Sequence, residues 1–244
     1  MPGQPIDGGA LKIVTEVGEP LGNIYTKPRA TDENGNFIIN DNGLYTLSDE
    51  YTKSGNILPK ATGGIANTVS YKGFSFDLLI DYRFGGQIVS SPLHYATGAG
   101  MYESTMEYRD EANGGIPYYV DNGTFVRLPS HDATAPNGST VYHDGVLLEG
   151  VTADGEENTR IIQAATYYLN TYAWSSGWYE DGAVYDNSFI KLREVSLGYN
   201  LPKNLTDKMR FQNVRISLIG RNLLYLWKTL PHLDPEVAIG TRWE

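Results

Sequence analysis

The sequence predicts an all-β fold, whose strands form part of a large antiparallel transmembrane barrel or, as the alternative, a soluble β-sandwich. Three observations lead to this prediction. Long segments alternate between apolar and polar residues, and glycines and Asn-Gly or Asp-Gly pairs are frequent. The short and the long connections fall at opposite ends of the predicted strands. No run approaches 18 apolar residues, so no spanning helix is predicted. A spanning strand needs only about 9 to 11 residues with every second one apolar, and negative mean hydropathy does not exclude it.

Composition limits the classes of partner. The 244 residues include 29 acidic and 19 basic side chains, and the net charge of -10 opposes binding to nucleic acid and to anionic lipid. The chain contains no cysteine, which excludes disulfides and thiolate metal sites. Its start, MPGQPIDGGALK, carries no secretory signal, so the chain is expected to be either cytoplasmic or without its true N-terminus.

The first 62 residues are predicted to form short strands followed by a loop. Residues 11–26 have the pattern of one or two short strands, and residues 27–62 are polar and rich in turn signals. Within this loop, Asn34-Gly35 and Asn42-Gly43 suit the positive φ angles of tight turns.

The next predicted element is a hairpin with strands at about 65–71 and 74–85, joined by Lys72-Gly73. In the stretch KGFSFDLLIDYRFGG, successive strand residues point to opposite faces. One face is apolar and consists of Phe74, Phe76, Leu78, Ile80, Tyr82 and Phe84. The other face includes Asp77, Asp81 and Arg83.

Residues 86–187 contain no long alternating segment. A structureless loop of about a hundred residues is abnormal, so this segment is expected to fold on itself or on a partner. It includes an aromatic cluster with Tyr172, Trp174, Trp178 and Tyr179. Two interpretations are open: the rings contact a ligand or a lid protein, or they form the interior of the loop or an interfacial girdle.

Regular alternation returns in two strands, at about 188–201 and 213–224. The first strand places Val195 and Leu197 on one face and Glu194 on the other. The second places Val214, Ile216 and Leu218 opposite Arg215.

The connections between these strands differ in length according to their side. The short connections, 72–73 and 202–212, fall at one end of the strands, and the long segment 86–187 falls at the other. This asymmetry is typical of outer-membrane barrels. A soluble β-sandwich, whose apolar faces are buried between two sheets, stays open at this point because it can show the same alternation.

Three ordered motifs narrow the choice: SFIKLREVSLGYNLP (188–202), ISLIGRNLLYL (216–226) and DPEV (234–237). In this order and spacing they strongly resemble the C-terminal barrel of the SusC/RagA family of TonB-linked outer-membrane transporters. Residues 58–88 resemble the preceding hairpin of that family, and residues 142–159 resemble a segment of the loop in between. The resemblance covers about 58–237.

The resemblance implies a multi-pass barrel protein of the outer membrane that imports oligosaccharides or peptides and is not an enzyme. A SusD-like surface lipoprotein would act as its lid, and TonB would energise it through an N-terminal region. It further implies extracellular loops at about 27–62, 86–187 and 225–244, with short periplasmic turns. Residues 1–244 are expected to be a partial barrel domain that lacks the plug domain and the final strand. The alternative is a secreted, soluble carbohydrate-binding β-sandwich.

The resemblance also divides the strand residues between two environments. The residues expected to face the lumen are Asp77, Asp81, Arg83, Glu194 and Arg215. Those expected to face lipid are Phe74, Phe76, Leu78, Ile80, Val195, Leu197, Val214, Ile216 and Leu218. In the family, the DPEV motif is interpreted as fixing an extracellular loop.

Catalytic and metal sites are not predicted. Asp77 and Asp81 are separated by about 13 Å along a strand, which exceeds the roughly 5 to 9.5 Å between the carboxylates of glycosidases. His94, His131, His143 and His232 show no paired spacing typical of zinc ligands, and no cofactor is predicted.

Overall fold

The structure is a computed structural model that describes residues 6–7, 11–173 and 183–236. In chain order the elements are β1 (Ile6–Asp7), β2 (Leu11–Val14), β3 (Asn23–Thr26), β4 (Thr52–Asn56), β5 (Ala61–Tyr71), β6 (Phe74–Phe84), β7 (Gln87–Val89), α1 (Ser91–Gly98), β8 (Ile116–Asp121), β9 (Thr124–Arg127), β10 (Tyr142–Val146), β11 (Ile162–Gln163), α2 (Ala164–Tyr168), β12 (Val184–Asp186), β13 (Phe189–Asn200), α3 (Lys203–Lys208) and β14 (Arg215–Lys228). They form two compact units, Met1–Gly55 with Val89–Val184, and Asn56–Ile88 with Tyr185–Glu244.

The first unit contains two small sheets, with the strand orders β1-β2-β3-β4 and β11-β10-β8-β9. Its hydrophobic core consists of Ile39, Val146, Leu148, Ile162 and Ala164, against which Leu44, Tyr45, Tyr108 and Tyr167 pack. The long segment after β7 therefore folds on itself and shares this core with residues from the 27–62 stretch. That stretch, predicted as a loop, also contains β4 and the start of β5.

The second unit is built on one antiparallel sheet with the order β14-β13-β6-β5. β5 and β6 pair without interruption from Ala61↔Phe84 to Tyr71↔Phe74. β5 begins four residues before the predicted start. The alternation could not be followed back that far, because Gly63 and Gly64 carry no apolar side chain to continue it. The Tyr82 ring lies directly over Gly63, so a Cβ atom at this position would stand 2.5 Å from the Tyr82 hydroxyl and the ring would have to shift.

The turn between β5 and β6 is a two-residue turn. Lys72 and Gly73 both have positive φ angles, 45° and 87°, as expected for the type I′ turn that matches the twist of paired strands. Gly73 also lies against the next strand, because the Asn200 N–H donates to its carbonyl at 2.8 Å. A Cβ atom at Gly73 would stand 3.1 Å from the Asn200 carbonyl oxygen.

The four-stranded sheet has one apolar face that is largely exposed. Phe74, Leu197 and Leu218 are 53%, 50% and 76% exposed. At one end of this face Phe74 packs on Tyr199, with ring centroids 4.4 Å apart. At the other end Phe84 contacts two further aromatic residues, Tyr82 at 5.4 Å and Trp227 at 6.2 Å. The apolar face is thus bounded by aromatic side chains at both ends.

The predicted turn 202–212 contains a helix. Residues 203–208 form α3, and Thr206 in its middle is buried. Within the described part of the chain, no helix has the length and apolar character needed to cross a membrane.

Candidate functional site: the polar face of the four-stranded sheet

A bulge in β13 places two consecutive charged residues on the polar face. In the pairing with β6, Leu192 lies opposite Ile80 and Glu194 lies opposite Leu79. Arg193 is therefore an extra residue in β13, with no residue of β6 directly opposite it. A bulge of this kind turns side chains that would alternate between faces toward the same face. Arg193 and Glu194 both make their ionic contacts on the side of Asp81 and the β14 arginine Arg221.

Arg193 holds two carboxylates at once. Its Nη2 atom lies 2.6 Å from Asp81 Oδ2 and 2.6 Å from Glu236 Oε1, and its Nη1 atom donates to Glu236 Oε2 at 2.9 Å. The contact with Glu236 is therefore bidentate, the geometry in which an arginine–carboxylate pair is strongest. The Asn222 Oδ1 atom accepts a further hydrogen bond from Nη1 at 3.0 Å.

Lys191 and Tyr225 extend this network. The Lys191 ammonium group, whose side chain is 6% exposed, forms an ion pair with Glu236 and donates to the Tyr225 hydroxyl at 3.2 Å. Tyr225 in turn donates to Asp234, which also accepts from the Glu236 N–H at 2.8 Å. This network, which we call the clasp, fastens residues 234–236 to β13 and β14 through Lys191, Arg193 and Tyr225.

The pKa values of the two acidic residues in this segment are consistent with permanent ionisation. The hydrogen bonds from Arg193 lower the pKa of Glu236 to about 2, and Lys191 acts in the same direction against partial burial. Burial of Asp234 raises its pKa, but the hydrogen bonds from Tyr225 and from the Glu236 backbone outweigh it and the net shift is downward. Both carboxylates therefore remain charged at neutral pH.

The network borders a cavity of ≈ 530 Å³ on the polar face. Its lining includes Thr62, Asp81, Arg83, Phe189, Arg193 and Glu236. Arg83 is anchored at the cavity wall because its Nη2 atom donates to the Ile57 carbonyl at 3.0 Å. The cavity presents cationic and anionic groups of similar number.

The other charges of this face are also in pairs. Arg215 donates to Ser75 at 2.6 Å and lies 3.9 Å from Asp77, and Arg221 donates to Glu194 at 2.9 Å. The strand register thus brings the sequence-predicted residues Asp77, Asp81, Arg83, Glu194 and Arg215 to one face. Whether that face borders a lumen remains a prediction.

Sequence reasoning missed the strongest part of the site. Lys191, Arg193 and Tyr225 were not predicted as site residues because a strict two-residue period assigns Arg193 to the apolar side. The signal that was available is the pair Arg193-Glu194, since two adjacent charges interrupt the alternation in FIKLREVSL. Such an interruption inside a regular strand is the mark of a bulge.

The predicted lipid-facing residues lie on the exposed apolar face or, for Val214, directly before β14. Phe74, Phe76, Leu197, Ile216 and Leu218 are exposed, whereas Leu78, Ile80 and Val195 in the middle are half-buried by their neighbours. The soluble sandwich required the same side chains to lie in a buried core between two sheets. Their exposure argues against that alternative.

The aromatic cluster is described only in part. Trp174, Trp178 and Tyr179 lie outside the described residues, whereas Tyr172 stacks on Tyr168 with centroids 6.0 Å apart and contacts His94 at 5.6 Å. Burial raises the pKa of Tyr168 to about 12 and shifts that of Tyr167 further upward, so these phenols stay neutral. Tyr168 is buried and Tyr167 packs against the core of the first unit, whereas Tyr172 is half-buried. A ligand role for Tyr172 remains a prediction.

Two of the four histidines come together in the fold, although their sequence spacing does not indicate a metal site. His131 and His143 place their Nδ1 atoms 2.9 Å apart, with stacked rings. Their separation of twelve positions does not indicate a pair because the contact depends on how the chain folds back before β10. Among the described residues, no three metal-binding side chains come together.

A long antiparallel sheet with an exposed apolar face, aromatic residues at both ends of that face and paired charges on the opposite face is a wall segment of a transmembrane β-barrel. Comparison with known proteins identifies the kind of barrel. The chain is 43% identical over 198 residues to TonB-dependent receptor P3 of Formosa agariphila, a match that covers 81% of this chain and 15% of that protein. It is 25% identical over 210 residues to TonB-dependent receptor P39 of the same organism, covering 85% of this chain and 15% of the relative.

Comparison with solved structures supports the same fold. The RagAB peptide transporter matches with a TM-score of 0.50 and 16% identity over 96% of this chain and 22% of that one. No family model matches the chain. The chain belongs to the SusC/RagA-like TonB-dependent receptors and forms part of their barrel. It spans about 15% of the length of the curated relatives reported above.

Proposed function

We propose that the chain is a wall segment of an outer-membrane importer that takes up oligosaccharides or peptides. The observation that carries this proposal is the apolar face of β6 between its aromatic ends. The ten residue steps from Phe74 to Phe84 rise about 33 Å along the strand, which a tilt of about 45° reduces to roughly 23 Å. This height agrees with the apolar band of about 25 Å in outer-membrane barrels.

In this proposal the polar face borders the lumen and the apolar face contacts lipid. The turns at 72–73 and 202–212 lie in the periplasm, and the segments 27–62, 86–187 and 225–244 belong to the extracellular side. The 234–236 segment, held by Arg193, Lys191 and Tyr225, then stiffens an extracellular loop above the cavity. The role is passage of a solute, not catalysis.

Two partners complete the proposed function. A SusD-like lipoprotein covers the extracellular mouth, and TonB supplies energy through another part of the receptor. The relatives named TonB-dependent receptor support the second partner. The RagAB neighbour is a peptide transporter, and the family resemblance implies oligosaccharides as well as peptides, so both substrate classes stay in the proposal.

The lipid contact is tested with a pair of arginine substitutions on one strand. Leu78→Arg, near the middle of the apolar face, is expected to reduce the free energy of folding in phospholipid vesicles by about 2–4 kcal/mol, whereas Phe74→Arg, at its aromatic end, costs about 0–1 kcal/mol. The measurement is denaturant unfolding of the gene product in vesicles. Equal losses at both positions would contradict a lipid-facing role.

A further inference from the structure

The connection between β13 and β14 presents an exposed apolar cluster. Leu205, Met209 and Phe211 are 48%, 47% and 58% exposed. Leu205 and Met209 are four residues apart and lie on the same side of the helical turn. The N–H of Phe211 donates to the Thr206 carbonyl at 2.9 Å, which brings Phe211 back beside the last turn of α3. Three large apolar side chains thus stand at the surface together.

Cationic residues surround this cluster. Lys203, Lys208 and Arg210 lie in the same connection, where Asp207 is the only acidic residue between positions 201 and 214. Lys72 lies in the neighbouring turn, which is joined to the end of β13 through the bond from Asn200 to Gly73. This end of the sheet is positive in a chain whose net charge is -10.

Arg210 occupies a position that usually belongs to glycine. Its φ angle is 60°, and the bonds from Arg210 N–H to Asp207 and from Phe211 N–H to Thr206 close α3 in the pattern that favours glycine at this residue. A positively charged side chain therefore stands where the backbone conformation favours glycine.

The positions of these groups follow the layers of a membrane interface. The apolar face of the sheet comes first, the aromatic pair Phe74 and Tyr199 marks its end, and the basic connection follows. Aromatic rings concentrate at the edge of the hydrocarbon layer, and lysine and arginine extend their charged ends toward the phosphates beyond it. The three apolar side chains are too few for a stable protein interface, which usually involves about 20–30 residues on each side.

We infer that the connection 201–214, together with Lys72, docks on the headgroup layer of the membrane and binds anionic phospholipid. Leu205, Met209 and Phe211 insert at the interface while the cations contact phosphate groups. The net charge of the chain does not prevent this contact, because charges further away than the Debye length of about 8–10 Å are largely screened. The inference rests on the proposed location in a membrane.

The test uses the gene product that contains this chain, with single labelling sites. Because the 244 residues contain no cysteine, Gln212→Cys, Leu78→Cys and Asp154→Cys each introduce one position for a fluorophore here. Gln212 is exposed next to the cluster and leaves its three apolar residues intact. Each labelled variant is placed in phosphatidylcholine vesicles that contain nitroxide-labelled phosphatidylcholine or nitroxide-labelled phosphatidylglycerol as the quencher.

The label at 212 is expected to be quenched by both lipids and several times more strongly by phosphatidylglycerol at low salt. In the variant Lys208→Gln/Arg210→Gln, most of this excess over phosphatidylcholine should disappear, because each cation near the surface contributes up to about fivefold. The matched control, Lys53→Gln/Arg127→Gln, removes two exposed cations of the first unit and should leave the excess unchanged. Asp154→Cys reports the unquenched level in water.

The outcomes separate failure of this inference from failure of the proposed function. Quenching at 78 but not at 212 would show that the connection faces water and would overturn the docking. Equal quenching at 212 by both lipids would overturn the selection of anionic headgroups. Absence of quenching at 78 as well as 212 would instead contradict the membrane location on which the inference rests.

Discussion

At the scale of single residues, Glu236 connects the end of the described chain to the sheet. It accepts hydrogen bonds from Arg193 and from the nearly buried Lys191. Removing its charge leaves the Lys191 ammonium without a carboxylate partner among the described residues, and such an uncompensated cation is unfavourable away from water. This differs from the Glu194–Arg221 pair, in which the arginine side chain is 71% exposed.

Glu236→Gln is therefore expected to lower the free energy of unfolding by about 1–3 kcal/mol, measured by denaturant titration in detergent or vesicles. Glu194→Gln serves as the matched control and should change it by no more than about 0.5 kcal/mol, since exposed ion pairs contribute little. Similar effects of the two substitutions would show that the clasp adds no more to the free energy of unfolding than an exposed ion pair does.

The same carboxylate predicts a pH dependence. The pKa of Glu236 is about 2 in the folded protein and 4.5 without the fold. A depressed pKa means that the stabilisation is complete above the unfolded value and is lost as pH falls toward the folded one. We expect the folded protein to lose stability between about pH 5 and pH 2, and the Glu236→Gln variant to show a weaker decline over this range. An unchanged pH profile in the variant would exclude Glu236 as a source of the dependence.

Gly73 is the second residue at which the fold favours one residue type, in this case glycine. Gly73→Ala adds a Cβ atom at φ 87° and 3.1 Å from a backbone oxygen, whereas Gly123→Ala adds one at φ 83° with open space around it. Both should lose about 1 kcal/mol from the backbone conformation, and Gly73→Ala should lose further stability from the contact. Thermal unfolding of the two variants side by side measures the difference, and equal melting temperatures would contradict it.

At the scale of the element, the bulge in β13 determines which face Arg193 occupies. Deleting Arg193 leaves Leu192 and Glu194 adjacent and opposite Ile80 and Leu79, so the remaining side chains keep their faces. The deletion should retain the sheet but release residues 234–236, which limited proteolysis detects as new cleavage after Lys228. Deleting Ser196, which lies in regular pairing, instead reverses the faces on one side of the gap and should prevent folding. Failure of both variants to fold would show that the bulge is needed for the strand itself.

The strands show how far sequence reasoning reaches. β6 and most of β13 follow the two-residue alternation, so their faces can be assigned from the sequence. The end of β14 and the start of β5 cannot, because bulges in one and glycines in the other interrupt the period. The clasp was not predicted either: it depends on Lys191, Arg193 and Glu236, which are brought together by an irregular register and by the return of the chain after β14.

At the scale of the whole molecule, the four-stranded sheet ends in two open edges. β5 and β14 are the outer strands of the order β14-β13-β6-β5 among the described residues. Unpaired strand edges promote association with other chains, and barrels remove them by closure. These edges indicate that further strands are needed for a closed wall.

The 244 residues expressed alone are therefore not expected to form a closed, cooperative monomer. Size-exclusion chromatography and thermal unfolding without detergent should show association and no single transition. The control is the same segment within a receptor of the length of its relatives, which should migrate as a compact, heat-modifiable monomer in detergent. A soluble, cooperative monomer of the isolated segment would contradict the open-edge interpretation.

Most of the fold of the first unit could not be predicted from the sequence. Turn signals such as Asn34-Gly35 were visible, but the core joins Ile39 to Val146 and Ile162 across more than a hundred positions. No local pattern encodes contacts of that range, since they depend on which short strands pair. The family resemblance predicted the barrel. The packing of the long segment 86–187 is seen only in the three-dimensional structure.

The pairing of charges along the polar face has an electrical consequence. Asp77, Asp81, Glu194 and Glu236 each have a cation within 4 Å, so the potential of each pair declines steeply with distance. In the proposed importer, a solute moving about 10 Å from this face would experience little net attraction or repulsion, whatever its sign. Such a surface neither concentrates ions nor repels them, and discrimination between cargoes then falls to shape and to direct contact rather than to electrostatic steering.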